Sequence, residues 1–251
     1  MKTRKSEIIL QKAQRWNLSG VSFLHTGKHR KGLRRLKRAV KLLETLNFKE
    51  KGKVQDEYLS ICIVLGDYFR EKFDKNPYVR AMSSIGPVIL TDGNMINAIK
   101  YYEKACSIRP KDITTNLKLI DVLFAARRYE ESIPVLKASL SVAKSDLPLT
   151  AVLHLKLAIA KLPQSPVDTG SVKEHLDFAR RNLDHENKTQ MSQLGISYTK
   201  LCVFSMKNPK LFNECYKHAM EALDDGVQNQ EVDEVVSHLV SLSTRIKGFN
   251  Q

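Results

Sequence analysis

No apolar run in these 251 residues approaches the roughly 20 needed to span a bilayer, so a membrane-embedded chain is not expected. The four cysteines, Cys62, Cys106, Cys202 and Cys215, show no C-x-x-C spacing and sit inside apolar helical patterns. That argues against a zinc ribbon or a dithiol redox loop and reads as buried, reduced thiols of an intracellular protein. There is no G-x-x-x-x-G-K-[ST] loop to cradle a phosphate, no H-E-x-x-H to hold zinc and no G-x-S-x-G elbow to present a nucleophile. Seven histidines are scattered without metal-ligand spacing. Asp168-Thr169-Gly170-Ser171 matches the aspartic-protease string, yet a shared-proton pair needs two such carboxylate loops and the string occurs once. Asp168 or Thr169 as a helix N-cap, with Glu174 in the first turn, explains it. Asn17-Leu18-Ser19 and Asn187-Lys188-Thr189 match glycosylation acceptors, but no secretory core is expected: Met1-Lys2-Thr3-Arg4-Lys5 is followed only by Ile8-Ile9-Leu10. A mitochondrial presequence is the alternative reading of that basic start, and Glu7 counts against it. The expectation is a chain with no catalytic residue, no metal and no cofactor. A cytoplasmic location is expected, with nucleus and mitochondrion as alternatives.

Acidic side chains are what the first 53 residues lack. They hold 16 Lys and Arg against Glu7, Glu44 and Glu50, a net of +13, whereas the other 198 residues hold 25 basic and 24 acidic groups. The overall +14 therefore describes one end, and a single-sign cluster of this kind raises a local potential that favours acidic partners. Within it, Arg30, Arg34, Lys37, Arg38 and Lys41 recur at i, i+4, i+7, i+8 and i+11, opposite Gly32, Leu36, Ala39, Val40 and Leu43. On a helix that spacing sets five cations along one face and an apolar seam along the other. Like charges at i, i+4 repel by a few tenths of a kcal/mol per pair, a repulsion that an external anion would relieve. An acidic protein, RNA and an anionic membrane surface are the three candidate partners, and a solvated basic face or a nuclear-import patch is the alternative. The few aromatic residues on the basic helices weigh against RNA.

Strand signals are also scarce, and helical periodicity runs through the whole chain. Stretches near 8–25, 29–46, 55–73, 94–108, 113–126, 129–144, 148–161, 171–184, 189–206, 210–223 and 230–246 read as amphipathic helices. Short breakers separate them, among them Thr26-Gly27, Arg109-Pro110-Lys111-Asp112, Lys207-Asn208-Pro209 and Asp225-Gly226. The helices pair into repeats. Trp16, Gly20 and Phe23 are spaced four and three apart on a leading helix, with counterparts Cys62, Gly66, Phe69 and Asn116, Ile120, Leu123. Gly32, Leu36 and Ala39 follow on a second helix. That pattern recurs as Ala98, Tyr102, Ala105, then 34 residues later as Ser132, Leu136, Ser139, and more loosely as Val172, Leu176, Ala179 and Phe212, Tyr216, Ala219.

These residues resemble the tetratricopeptide repeat family, whose unit is a 34-residue helix–turn–helix. The resemblance is best at 13–46 and 94–146 and degenerate at 148–224. It implies an all-α solenoid of stacked helical hairpins over 1–228. The stretch 229–251, apolar at Val232, Val235, Val236, Leu239, Val240 and Leu242 and polar at Glu231, Asp233, Glu234, Ser237 and Ser241, reads as a capping helix. One spacing is irregular: Phe69 to Ala98 is 29 residues where Phe23 to Gly32 is nine. Either 74–93 is an inserted loop, rich in turn chemistry, or Met82, Gly86 and Ile89 build another helix with Pro87 inside it. A proline there costs about 3 kcal/mol, so the loop is favoured.

By the same resemblance the chain is a non-catalytic adaptor that holds a peptide or partner helix in a groove lined by the first helix of each hairpin. The places facing that groove in the family's register are Asn17, Val21, Asp67, Arg70, Lys118, Asp121 and Phe124. One branch of the family clamps the acidic tails of heat-shock chaperones with Lys and Asn; here Asn17 and Val21 take the matching first places, so the clamp is incomplete and that ligand is not expected. The alternative is an RNA-associated component of a ribonucleoprotein or other large assembly, with the basic end gripping RNA.

Overall fold

A computed structural model describes residues 2–46, 52–75 and 93–249. Eleven helices and no strand occur among them: α1 (Lys2–His25), α2 (His29–Glu44), α3 (Lys53–Asp74), α4 (Gly93–Ile108), α5 (Ile113–Ala125), α6 (Tyr129–Val142), α7 (Leu147–Lys161), α8 (Thr169–Asn182), α9 (Lys188–Phe204), α10 (Pro209–Asp224) and α11 (Gln230–Phe249). Each expected helix is present, most ends lying within two residues of expectation. The exceptions are α1, which begins at Lys2, and α11, which ends at Phe249. The segment ahead of Ile8 is polar and gives apolar periodicity nothing to register. The expected insertion at 74–93 falls, from 76 to 92, outside the described residues. None of the described helices is long and apolar enough to cross a membrane.

The chain divides into two compact units, Met1–Arg128 and Tyr129–Gln251. In the first, α1 packs on α2, α2 on α3, α3 on α4 and α4 on α5, and α1 also reaches α3. In the second, each helix from α6 to α11 packs on the next, with α7 reaching α9 and α9 reaching α11. Packing on the next helix, plus contact between alternate helices, is the arrangement of stacked helical hairpins. The repeat residues form the seams. Gly32, Leu36, Ala39, Ala98, Tyr102, Ala105, Ser132, Leu136, Ser139, Val172, Leu176 and Ala179 are all buried. The degenerate last hairpin departs from the pattern. Tyr216 is only half-buried and Cys215 takes the seam place between Phe212 and Ala219, because bulky Phe212 opens the helix where a small residue is usual.

Two glycines show why the first hairpin closes. Gly27 adopts φ 73°, and the turn it makes satisfies two terminal carbonyls: Lys28 N–H donates to Phe23 O at 2.8 Å and Gly27 N–H to Leu24 O at 3.1 Å. α5 ends in the same way with Arg127 at φ 56°, Arg128 N–H donating to Leu123 O at 2.9 Å. Gly32 sits where α2 crosses α1; a Cβ there would lie 2.7 Å from Leu24 Cδ2 and 2.8 Å from the Gly20 carbonyl oxygen.

In the second unit, side-chain oxygens cap the helix starts. Asp168 Oδ1 accepts from Ser171 N–H at 3.0 Å, and Asn187, Asn208 and Asn229 do the same at α9, α10 and α11. The Asp168 carboxylate is thus a cap. α11 buries Val232, Leu239 and Leu242 against α9 and α10. Val240 is exposed, a correction to the expected apolar side of this helix: it lies one position past Leu239, about 100° around the axis. Cys62, Cys202 and Cys215 are buried and Cys106 is half-buried, all as free thiols; burial pushes the Cys62 and Cys106 thiols up to about 12.

Between α7 and α8, His154 Nδ1 and His175 Nδ1 share a hydrogen bond at 2.9 Å, and the His154 ring stacks on Phe178 at 4.2 Å. Burial, followed by the charges of Lys161, His154 and Lys137 and opposed by Asp168, holds His175 down to about 4; burial also lowers His154. An unfolded histidine protonates near 6.5, so the folded second unit loses stability as pH falls from 6.5 towards about 4. Thermal melts across that window should show the loss, and His175→Phe should flatten it.

Candidate functional site

α2 presents two faces. Gly32, Leu36, Ala39, Val40 and Leu43 are buried, as the spacing predicts, while Arg30, Arg34, Lys37, Arg38 and Lys41 are all exposed. Lys31 and Arg35 are exposed beside them. The single acid of α2, Glu44, is turned away. It accepts from Tyr58 Oη at 2.9 Å and pairs with Lys104; burial pulls its carboxyl up, but those partners outweigh it and hold it below its usual value. None of the five cations forms an ion pair with another described residue. Lys37 Nζ lies 5.4 Å above the Phe69 ring, and Arg35 leans the other way, over Phe23 at 5.9 Å, with Nη1 donating to Ser19 Oγ at 3.4 Å.

The basic surface continues onto α3. Tyr68, half-buried, has the His29 ring at 5.6 Å and Lys72 Nζ at 5.6 Å from its own ring. Sequence reasoning passed over Tyr68, because nothing in its local pattern shows that α2 and α3 bring it among these cations.

The groove residues read from the repeat register lie on α1, α3 and α5, the first helices of the first unit. Asn17 donates through Nδ2 to Glu57 Oε1 at 2.7 Å, tying α1 to α3. Its buried Oδ1 receives no hydrogen bond among the described residues. Val21, one turn on, is half-buried. Asp67 accepts from Tyr102 Oη at 2.7 Å and from Lys118 Nζ at 2.6 Å, which ties α3 to α4 and α5. Burial first, and the bond to Asp67 second, raise the Tyr102 phenol and keep it protonated. Arg70 holds both oxygens of Asp74 at 2.8 Å. Asp121 is exposed and Phe124 half-buried. Asp67 and Lys118 are thus paired with each other and Arg70 is paired along its own helix. Exposed pairs of this kind contribute about 0–1 kcal/mol, little enough for a ligand to displace.

A second groove, in the second unit, was not foreseen. α9 is buried on most sides, but Gln193, Lys200 and Val203 are exposed and Ile196 half-buried, at i, i+7, i+10 and i+3, one stripe of the helix. Across from Ile196, Lys200 and Val203 stand Glu231, Glu234, Val235 and His238 of α11, enclosing an open pocket of about 320 Å³. Phe204 and Met206, both exposed, extend the apolar surface past the end of α9. The stripe was legible in the sequence; that α11 lies alongside and leaves it uncovered was not. No group of three or more His, Cys, Asp or Glu able to hold a metal ion occurs among the described residues.

No family model matches the chain, and no curated protein matches it. Among solved structures it is similar to one titled MamA AMB-1, at 16% identity over 86% of this chain and 93% of that one, with a TM-score of 0.46. It is also similar to one titled MamA MSR-1, at 15% identity over 88% and 97%, with a TM-score of 0.43. The hairpin assignment rests on the helix pairing within each unit.

Proposed function

We propose that the chain is a non-catalytic protein-interaction scaffold of tetratricopeptide-like hairpins. Its first unit takes a peptide or partner helix along α1, α3 and α5 and docks an acidic protein on the outer face of α2. The observation that carries this is the charge of α2. Arg30, Arg34, Lys37, Arg38 and Lys41 are exposed together while Glu44, the one acid of the helix, is engaged by Tyr58 and Lys104. Seven exposed Lys and Arg on 16 residues repel one another, and an acidic surface relieves that repulsion. Along the groove, Asp67, Arg70, Lys118 and Asp121 supply exchangeable polar contacts and Phe124 an apolar one.

The triple reversal Arg34→Glu, Lys37→Glu and Arg38→Glu tests the reading. These side chains point away from the Leu36–Ala39 seam, so helicity and melting temperature should stay close to wild type. Capture of acidic partners from the native cell should collapse, and wild-type capture should weaken steeply with salt, since exposed charges are screened beyond about 8 Å at physiological ionic strength. Unchanged capture by the reversed chain would sink the proposal.

The RNA reading has one observation in its favour, the Tyr68 ring within 5.6 Å of both His29 and Lys72, since a base stacks on an aromatic ring for about 1–3 kcal/mol. Tyr68→Ala should then weaken binding to single-stranded RNA and leave protein capture intact. No measurable RNA affinity at low salt would remove that alternative.

A further inference from the structure

The two most exposed large apolar side chains among the described residues of the first unit stand on one helix. Ile8 and Leu18 of α1 are 60% and 73% exposed, and with Gln11, Arg15 and Ser22, also exposed, they fall at i, i+10, i+3, i+7 and i+14, a single stripe. Lys12 flanks the stripe from above the Trp16 ring, at 4.9 Å. The stripe is basic and apolar, about 15 Å from Ile8 to Leu18 at the helical rise.

The α9–α11 groove is apolar with an acidic rim along α11, Lys200 standing on its α9 side. Its floor is Ile196, Val203 and Val235, continued by exposed Phe204, and its α11 lip is Glu231 and Glu234. From 218 to 244 the chain carries six acids, Glu221, Asp224, Asp225, Glu231, Asp233 and Glu234, and no Lys or Arg. Glu231, Asp233 and Glu234 form no ion pair with another described residue, whereas Glu221 is engaged by Lys217 and Arg180. The groove therefore fits a helix bearing spaced aliphatic side chains flanked by cations, and such a helix is present in the same sequence.

We propose that copies of this chain join head to tail, the outer stripe of α1 of one copy seated in the α9–α11 groove of the next. Ile8 and Leu18 cover Ile196, Val203 and Phe204, and Arg15 and Lys12 face Glu231 and Glu234. The two surfaces differ, so a pair joined by one such contact retains one uncovered stripe and one uncovered groove, through which the proposed head-to-tail assembly adds further copies. Neither surface includes the exposed face of α2, so this inference stands apart from the acidic-partner reading.

Sedimentation velocity of the full chain tests it. Average mass should rise with concentration beyond that of a dimer and fall as salt is added. Leu18→Asp, which spoils only the stripe, and Val203→Asp, which spoils only the groove, should each keep wild-type helicity and melting, since both positions are exposed, and each should weaken self-association more than about tenfold, roughly 1.4 kcal/mol. An equal mixture of the two variants should restore a species no larger than a dimer, joining the intact stripe of the Val203→Asp chain to the intact groove of the Leu18→Asp chain. The Arg34, Lys37 and Arg38 reversal should leave self-association unchanged. A wild-type chain that stays monomeric at every concentration would overturn the proposal and leave the groove to a foreign helix. Loss of association in Leu18→Asp but not in Val203→Asp would overturn it in favour of a symmetric α1 contact, and failure of the mixture to pair would exclude the head-to-tail geometry.

Discussion

Replacing Gly32 with Val, which adds three carbons, is expected to lower the stability of the first unit by about 3 kcal/mol, at the upper end of what overpacking a filled seam costs. The built Cβ falls 2.8 Å from the carbonyl oxygen of Gly20 and 2.7 Å from Leu24 Cδ2. A flexible leucine can turn aside; a backbone carbonyl within α1 cannot. The two helices must therefore separate along the Gly20–Gly32 contact, which loosens Leu36 and Ala39, both fully buried. Lys31→Val is the control, since Lys31 is exposed and the change there carries only the propensity difference, under about 0.7 kcal/mol. Chemical denaturation of both variants reads the difference. A Gly32→Val chain as stable as the control would mean that α1 and α2 do not cross at these glycines.

Deleting residues 230–251 is expected to have the largest effect of all. It removes Val232, Leu239 and Leu242, each at least 94% buried, and burial of such a side chain contributes about 2 kcal/mol. Three of them approach the roughly 5–15 kcal/mol that holds a small domain together, before counting the surfaces of α9 and α10 newly opened to water. The shortened chain should melt earlier in its second unit, bind a hydrophobic dye and lose solubility. A soluble truncation with an unchanged melt would show that α11 is not a cap.

Helices were legible because each alternates a buried and an exposed face over three or more turns, a periodicity that survives any tertiary arrangement. The α2 cation stripe was legible for the same reason, and the buried seam Gly32, Leu36, Ala39, Val40, Leu43 lies where the spacing set it. What stayed hidden depends on which helix lies beside which. The link from Asp67 on α3 to Lys118 on α5, 51 positions apart, leaves no local trace in either helix. The α9–α11 groove needs both helices placed before Ile196 and Val203 can be seen as uncovered. Degeneracy hid the rest: bulky Phe212 displaced the seam from Tyr216 to Cys215, a shift of one residue that a motif read at fixed spacing does not register.

The four thiols divide evenly between the units: Cys62 and Cys106 in the first, Cys202 and Cys215 in the second, three of them buried and one half-buried. Each of the three buried thiols is thus a chemical clock built into its own unit. A buried thiol reacts with an alkylating reagent only when the surrounding helices open, so its labelling rate under native conditions measures the free energy of that local opening. Following the labelling of Cys62 against that of Cys202 and Cys215 over time by peptide mass mapping would rank the two units by how often they open, with no mutation.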